Sequence, residues 1–318
     1  MTDQTRYFVT GGAGFIGSHV VDRLLAEGGA VTVYDRQCAG REAWIEAACR
    51  SGRFTFVQAD LLDREALTDA MRGHDVVWHL GANTDIPGGA ADPRLDLENC
   101  MIATNNTLEA MKVNSIRTLL FASSAAVYGE TEAQPTPEDV GPLLPISPYG
   151  AAKLACEGLI SAYCHLFGIK AWMFRFANVV GPRMGHGVLY DFIRKLERDR
   201  RCLEILGNGQ QQKNFFHVED CIDGMLFAYH HAGDRPCDIF NLGSDSSLKV
   251  TEVARIVVEE MGLNGIEFRY TGGERGWPGD VPVYFHDVSK MRRLGWTVKR
   301  SAAEAVRLAA RQLLGKEN

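Results

Sequence analysis

The 318 residues predict an α/β chain: a doubly wound parallel sheet with helices on both faces, followed by a smaller mixed lobe. Three observations carry that prediction. The runs RYFVT, AVTVYD, FTFVQAD, DVVWHLG, TLLFASS and AWMFRFAN are apolar almost throughout, as strands covered on both faces are. Segments with helical spacing, such as FIGSHVVDRLLAEG and REALTDAMRG, separate them, the rhythm of parallel strands joined by crossovers. After about Asn178 the rhythm breaks, and glycine and proline punctuate GPRMGHG, LGNGQ, LGSDSS and TGGERGWPGDVP. The expected division is 1–178 for the sheet domain, with a segment near 215–243 returning to it, and 179–318 for the second lobe. Ligands are expected at the carboxyl ends of the strands.

Apolar residues make up 46% and charged residues 23%, enough for a sizeable core in a soluble globular chain. A net charge of −6 argues against nucleic acid as partner, and leaves room for a local positive pocket around a small anion. Eight cysteines (Cys38, Cys49, Cys100, Cys156, Cys164, Cys202, Cys221 and Cys237) form no C-x-x-C pair and no metal-like spacing. They read as free thiols of a reducing compartment, with no metal site. No apolar run reaches the ~18 residues a bilayer requires, and MTDQTRYFVTGG enters a strand at once. A cytoplasmic chain with neither membrane partner nor signal peptide is expected.

The first strand runs into FVTGGAGFIGSHV, with Gly11, Gly14 and Gly17 spaced G-x-x-G-x-x-G at the opening of a helix. Such glycines permit a tight turn and a close backbone approach, and the helix N-terminus offers unpaired N–H groups to a diphosphate. Asp35 ends the second strand, where a carboxylate accepts both hydroxyls of an adenosine ribose and repels a 2′-phosphate, which favours NAD. Arg36 follows and keeps NADP open, since an arginine there accommodates that phosphate. Asp60 ends the third strand, placed either to meet the adenine or to cap the helix that begins at Asp63. NTDIPGGAADPRLDLEN follows the fourth strand and reads as a turn-rich loop. Next comes FASSAAVYG, two hydroxyls followed by Ala125 and Ala126. In SPYGAAK, Tyr149 and Lys153 stand at i and i+4 and share a helix face. A tyrosine near its usual pKa of ~10 is a poor base. An ammonium beside it favours the phenolate and lowers that pKa.

Taken in order, TGGAGFIG, DLLD, HLGA, SSAAVYG, SPYGAAK, RFANVVGPR, FFHVEDC, FNLGS and GERGWPGDVP carry a resemblance nearly end to end. The chain resembles the extended short-chain dehydrogenase/reductases, whose larger half is a Rossmann domain, and within them the nucleotide-sugar 4-epimerases of the UDP-glucose/UDP-galactose type. The resemblance implies Ser124, Tyr149 and Lys153 as the catalytic set. It implies NAD held by Gly11, Gly14, Phe15, Ile16, Gly17, Asp35, Arg36, Asp60, Leu61, Leu80, Ala82, Asn99, Ser123, Tyr149 and Lys153. Tyr149 takes the proton of the sugar 4-hydroxyl while the C4 hydride passes to NAD, and the 4-keto sugar turns before both return. Related dehydratases carry an Asp-Glu pair where Ala125 and Ala126 stand, and decarboxylating relatives keep a glutamate at the second position. An epimerase needs neither. For the UDP-sugar the resemblance implies Thr84, Ser124, Asn178, the backbone near Val188, Lys213, Arg275 and Asp280. Thr84 serves equally well as a local backbone cap. Lys213 replaces a common arginine, and Ala177 in RFAN departs from a common R-Y-F-N. Epimerases of UDP-glucuronate and nucleotide-sugar reductases remain open alternatives, with Asn178 and GPRMGHG leaning towards a neutral hexose. A homodimer through the helices around Asn99–Val113 and Pro148–Gly168 is also implied.

Overall fold

The computed structural model describes residues 4–36 and 42–316, so Cys38 lies outside the described residues. In chain order the main strands are β1 (Arg6–Thr10), β2 (Ala30–Asp35), β3 (Phe54–Gln58), β4 (Val76–His79), β5 (Thr118–Ser124) and β6 (Lys170–Phe176). With Cys237–Leu242 they form a seven-stranded sheet in the order Cys237–Leu242, β6, β5, β4, β1, β2, β3. β1 runs parallel to β2 and β4, as do β2 to β3 and β4 to β5. Chain order reverses between β1 and β4, the switch point outside which such sheets bind ligands. All four residues of β4 are buried, which is why its sequence reads as continuously apolar. Phe8, Val77, Leu119, Phe121 and Met173 of the strands share one core with Leu108, Met111, Cys156 and Ile160 of the helices.

The covering helices are α1 (Phe15–Ala26), α2 (Glu42–Cys49), α3 (Arg64–Ala70), α4 (Ile86–Ala91), α5 (Arg94–Asp96), α6 (Ala103–Val113) and α7 (Pro148–Phe167). A π-helical turn, Leu97–Ile102, joins α5 to α6. The stretch expected as a loop after β4 is therefore largely helical. Asp85 starts α4 by accepting from Gly88 N at 2.9 Å, and Pro87 suits a first turn, so turn-type residues here open a helix. α7 is delimited by local chemistry: Ser147 caps it by accepting from Gly150 N, and Gly168 closes it at φ 69°.

Two units divide the chain. The first comprises Met1–Val127, Ser147–Arg175 and Tyr229–Ile239; the second comprises Tyr128–Ile146, Phe176–Ala228 and Phe240–Asn318. The stretch returning to the first unit is thus narrower than 215–243, and 128–146 falls outside that unit. Gly224, on the helix Val218–His231, packs against Leu242 and Trp296 of the second unit, so most of that helix stays there. The second unit otherwise consists of two-stranded pairs, such as Phe215–His217 with Asn178–Val180, and helices including Val188–Arg198 and Val250–Glu260.

Candidate active site

In the first unit the glycine loop is shaped by what its residues lack. Gly11 sits at φ +70°, and a Cβ there would stand 2.7 Å from Gly81 N. A Cβ at Gly17 would come within 2.1 Å of Gly11 O, so α1 reaches the loop only because position 17 is bare. Gly14 is the N-cap of α1, with no side-chain cap, and no acid occupies the first turn, which begins with Phe15 and Ile16. That cradle fits a diphosphate.

Around it, Asp35 accepts from Ala13 N at 3.1 Å, tying the end of β2 to the loop. Arg36 Nη1 donates to Asn99 Oδ1 at 3.0 Å and lies 3.8 Å from Asp60 Oδ2. Its charge is shared by Asp60, which weakens the argument for a 2′-phosphate partner. Asp60 Oδ1 accepts from Leu62 N at 2.9 Å, whereas the cap of α3 is Asp63, accepting from Ala66 N at 3.1 Å. Asp60 is no helix cap. The Leu61 side chain covers Gly81, Leu80 N donates to Thr10 O, and Ala82 packs on the core.

The reacting groups meet where β5 ends against α7. The Ser124 side chain lies beside the Tyr149 phenol and favours its ionised form, while Ser124 Oγ accepts from Ala126 N at 3.2 Å. Lys153 Nζ donates to Ala122 O at 2.8 Å and lies 5.9 Å from the Tyr149 ring centroid. Burial raises the Tyr149 phenol above its ordinary value, and the nearby Lys153 charge opposes this without reversing it. The expected lowering is thus present as an opposing force only, because spacing in sequence says nothing of desolvation. Burial also works against the Lys153 ammonium, but Tyr149, Cys100, Cys156 and Glu157 together leave its pKa raised, so the lysine stays charged. Ala125 and Ala126 open a 3-10 turn directly after Ser124, adding no ionisable group. Thr84 is exposed and hydrogen-bonds to nothing among the described residues, so it caps no backbone; Asn83 and Asp85 do that.

In the second unit four charged residues converge. Lys213 Nζ donates to Asp280 Oδ1 at 2.5 Å and to Val281 O. Arg275 donates to Asp280 O at 2.6 Å and to Glu130 Oε1 at 2.5 Å, and Asp280 Oδ2 accepts from Gly276 N at 3.0 Å. Lys213, Arg275 and Asp280 are thus brought together, paired with one another and with Glu130. Asn178 donates its amide to Asn214 O at 3.1 Å, and Val188 opens the helix Val188–Arg198.

The sequence model of the NAD dependent epimerase/dehydratase family matches residues 7–243. The chain belongs to that family. The putative UDP-glucose 4-epimerase of Methanocaldococcus jannaschii is 32% identical over 306 residues, covering 94% of this chain and 95% of that protein. A crystal structure of a UDP-galactose 4-epimerase superposes with a TM-score of 0.88 at 38% identity, covering 98% of this chain and 99% of that one. The UDP-glucuronic acid 4-epimerase of Bacillus cereus, solved with UDP-glucuronic acid and NAD, gives 0.89 at 26% identity, covering 98% and 99%. This epimerase-family enzyme is an extended short-chain dehydrogenase/reductase, an isomerase, and NAD is its cofactor.

Two buried networks of the enzyme carried no sequence signal. Gly81 N donates to Thr10 Oγ1 at 3.1 Å, Thr10 meets His79 Nδ1 at 2.7 Å, and His79 Nε2 meets Thr104 Oγ1 at 3.0 Å. Desolvation, then the Lys153 charge, pushes His79 down to about 3, so it is neutral and holds Gly81 against the glycine loop. The second network joins Ser123, Glu157 and Arg175. The hydroxyl of Ser123, expected to meet the cofactor, is committed to Glu157.

Proposed function

We propose that the chain is a UDP-sugar 4-epimerase acting on UDP-glucose and UDP-galactose. The observation that carries this reading is the pairing of half-buried Ser124 and Tyr149 and buried Lys153 with the methyl groups of Ala125 and Ala126. Bound NAD supplies a hydride acceptor that later gives the hydride back. Tyr149 removes the proton of the 4-hydroxyl and restores it, Ser124 hydrogen-bonds the same oxygen, and Lys153 opposes the cost of the buried phenolate. With no carboxylate after Ser124, no second proton is withdrawn from the 4-keto sugar, so water and carbon dioxide are not lost. Gly11, Gly14 and Gly17 hold the NAD diphosphate and Asp35 its adenosine ribose. Lys213 and Arg275 serve the UDP diphosphate, Asp280 its ribose, and Asn178, Val188 and Thr84 line the remaining substrate contacts.

Purified protein given UDP-galactose without added NAD should form UDP-glucose. Conversion of UDP-galacturonate instead would move the reading to the uronate, the reaction named for the Bacillus cereus neighbour. Turnover only with added reduced cofactor would make the protein a reductase.

We also propose that two copies associate through exposed apolar residues of α5 to α7. Leu97 (45% exposed), Ile102 (42%), Val113 (61%) and Leu166 (72%) support a second copy as the cover. Sedimentation at micromolar concentration should give a dimer, and Leu166→Glu with Ile102→Glu should give a monomer.

A further inference from the structure

Helix α7 meets the last three residues of β5 three times. The Tyr149 phenol lies beside the Ser124 hydroxyl, Lys153 Nζ donates to Ala122 O at 2.8 Å, and Glu157 Oε1 accepts from Ser123 Oγ at 2.5 Å. Positions 149, 153 and 157 lie at i, i+4 and i+8, one stripe of the helix. The third contact has no part in the chemistry, yet it is the most enclosed. Ser123 is 3% exposed, Glu157 4% and Arg175 2%. Arg175, on β6, binds Glu157 with both arms of its guanidinium, Nε to Oε1 at 3.0 Å and Nη2 to Oε2 at 2.7 Å.

A buried ion pair adds little stability over an apolar pair of the same volume. What this one supplies is direction. The bidentate grip fixes the plane of the carboxylate, so one oxygen faces Ser123 at a set angle. We propose that Glu157, oriented by Arg175, is a positioning residue: through the Ser123 hydroxyl it fixes the end of β5 and thereby the place of Ser124 relative to Tyr149. Three rungs between one helix face and one tripeptide leave the strand end no freedom to twist. The two serines of the sequence then divide the work, Ser124 towards substrate and Ser123 into the scaffold.

The proposal rests on the epimerase reading for its kinetic test, and a second readout needs no substrate. In the NAD-loaded full chain, Ser123→Ala leaves Glu157 held by both arms of Arg175, so NAD content stays at the parent value and melting falls only by the loss of one hydrogen bond. Its kcat should fall about tenfold with KM unchanged, within the ~10²-fold that a 1 Å misplacement can cost. Glu157→Gln keeps an oxygen for Ser123 but removes the negative charge and one of the two acceptors facing the guanidinium; it should melt lower and keep more kcat than Ser123→Ala. A structural role alone would move rate and melting together in both variants, and that outcome overturns the proposal, as does a parental kcat in Ser123→Ala. Independently, ultraviolet difference titration against Tyr149→Phe should show Tyr149 ionising at higher pH in Ser123→Ala, because the Ser124 hydroxyl beside it is loosened. An unmoved titration overturns the proposal. If the parent protein converts no UDP-sugar, the epimerase reading fails while the titration still decides the role of Glu157.

Discussion

At the scale of single residues, Tyr149 carries the sharpest expectation. On the proposed reaction, Tyr149→Phe removes the phenolic oxygen assigned the proton transfer at the sugar 4-hydroxyl and leaves every glycine-loop contact in place. Turnover should fall to background while bound NAD, released by heat and measured by absorbance, stays at the parental amount. Ser124→Ala should cost less, on the order of 10²–10⁴ in rate. Tyr149 and Lys153 were legible as a pair because i, i+4 spacing on a helix is geometry that the chain writes down, whereas Ser124 at the end of β5 was named through the resemblance alone. Other features were not written there. The phenol's upward pKa follows from burial that no spacing encodes, and Ser123 looks the same as Ser124 until Glu157 is seen beneath it.

At the scale of elements, β4 and its neighbours bear on acid stability. His79 is buried and held to about 3, below the 6.5 of a solvated histidine, so between those values the unfolded chain binds a proton that the folded chain refuses. Stability from this group is complete above 6.5 and is lost as pH falls towards 3, at roughly 1.4 kcal/mol per pH unit. Urea denaturation between pH 7 and 4.5 should show that slope, and His79→Gln, less stable at pH 7, should flatten it by one proton. Identical slopes would mean that His79 titrates as if in water. The strands were read correctly because a doubly covered strand has no polar face to confuse its pattern. The stretch 83–99, which holds α4, α5 and the start of the π-helical turn, was misread as a loop. Asp85 and Pro87 are turn residues and helix openers alike, and only the backbone of the next turn decides between them.

At the scale of the whole molecule, neither unit is one stretch of chain, since the boundary is crossed after Val127, Ile146, Arg175, Ala228 and Ile239. A fragment ending at residue 178, the boundary that composition suggests, lacks the strand Cys237–Leu242 and leaves β6 as a bare edge of buried residues. It should aggregate and bind no NAD, while the full chain melts cooperatively; a soluble fragment with a parental NAD content would contradict this. Sequence rhythm placed a return to the sheet domain near 215–243, a span that holds the strand Cys237–Leu242, but not its bounds, because pairing between segments distant in the chain leaves no local trace. The chain of contacts from Lys213 through Asp280 and Arg275 to Glu130 has a last implication. Each cation already has a resident acid, so an anion proposed to bind there must exchange with Asp280 and Glu130 rather than fill an empty field. Inorganic phosphate, with one weak grip, is a poor competitor for such partners. If Lys213 and Arg275 hold the UDP diphosphate as proposed, a diphosphate tethered to a nucleoside displaces the two acids in succession, and discrimination by valence precedes any contact with the sugar.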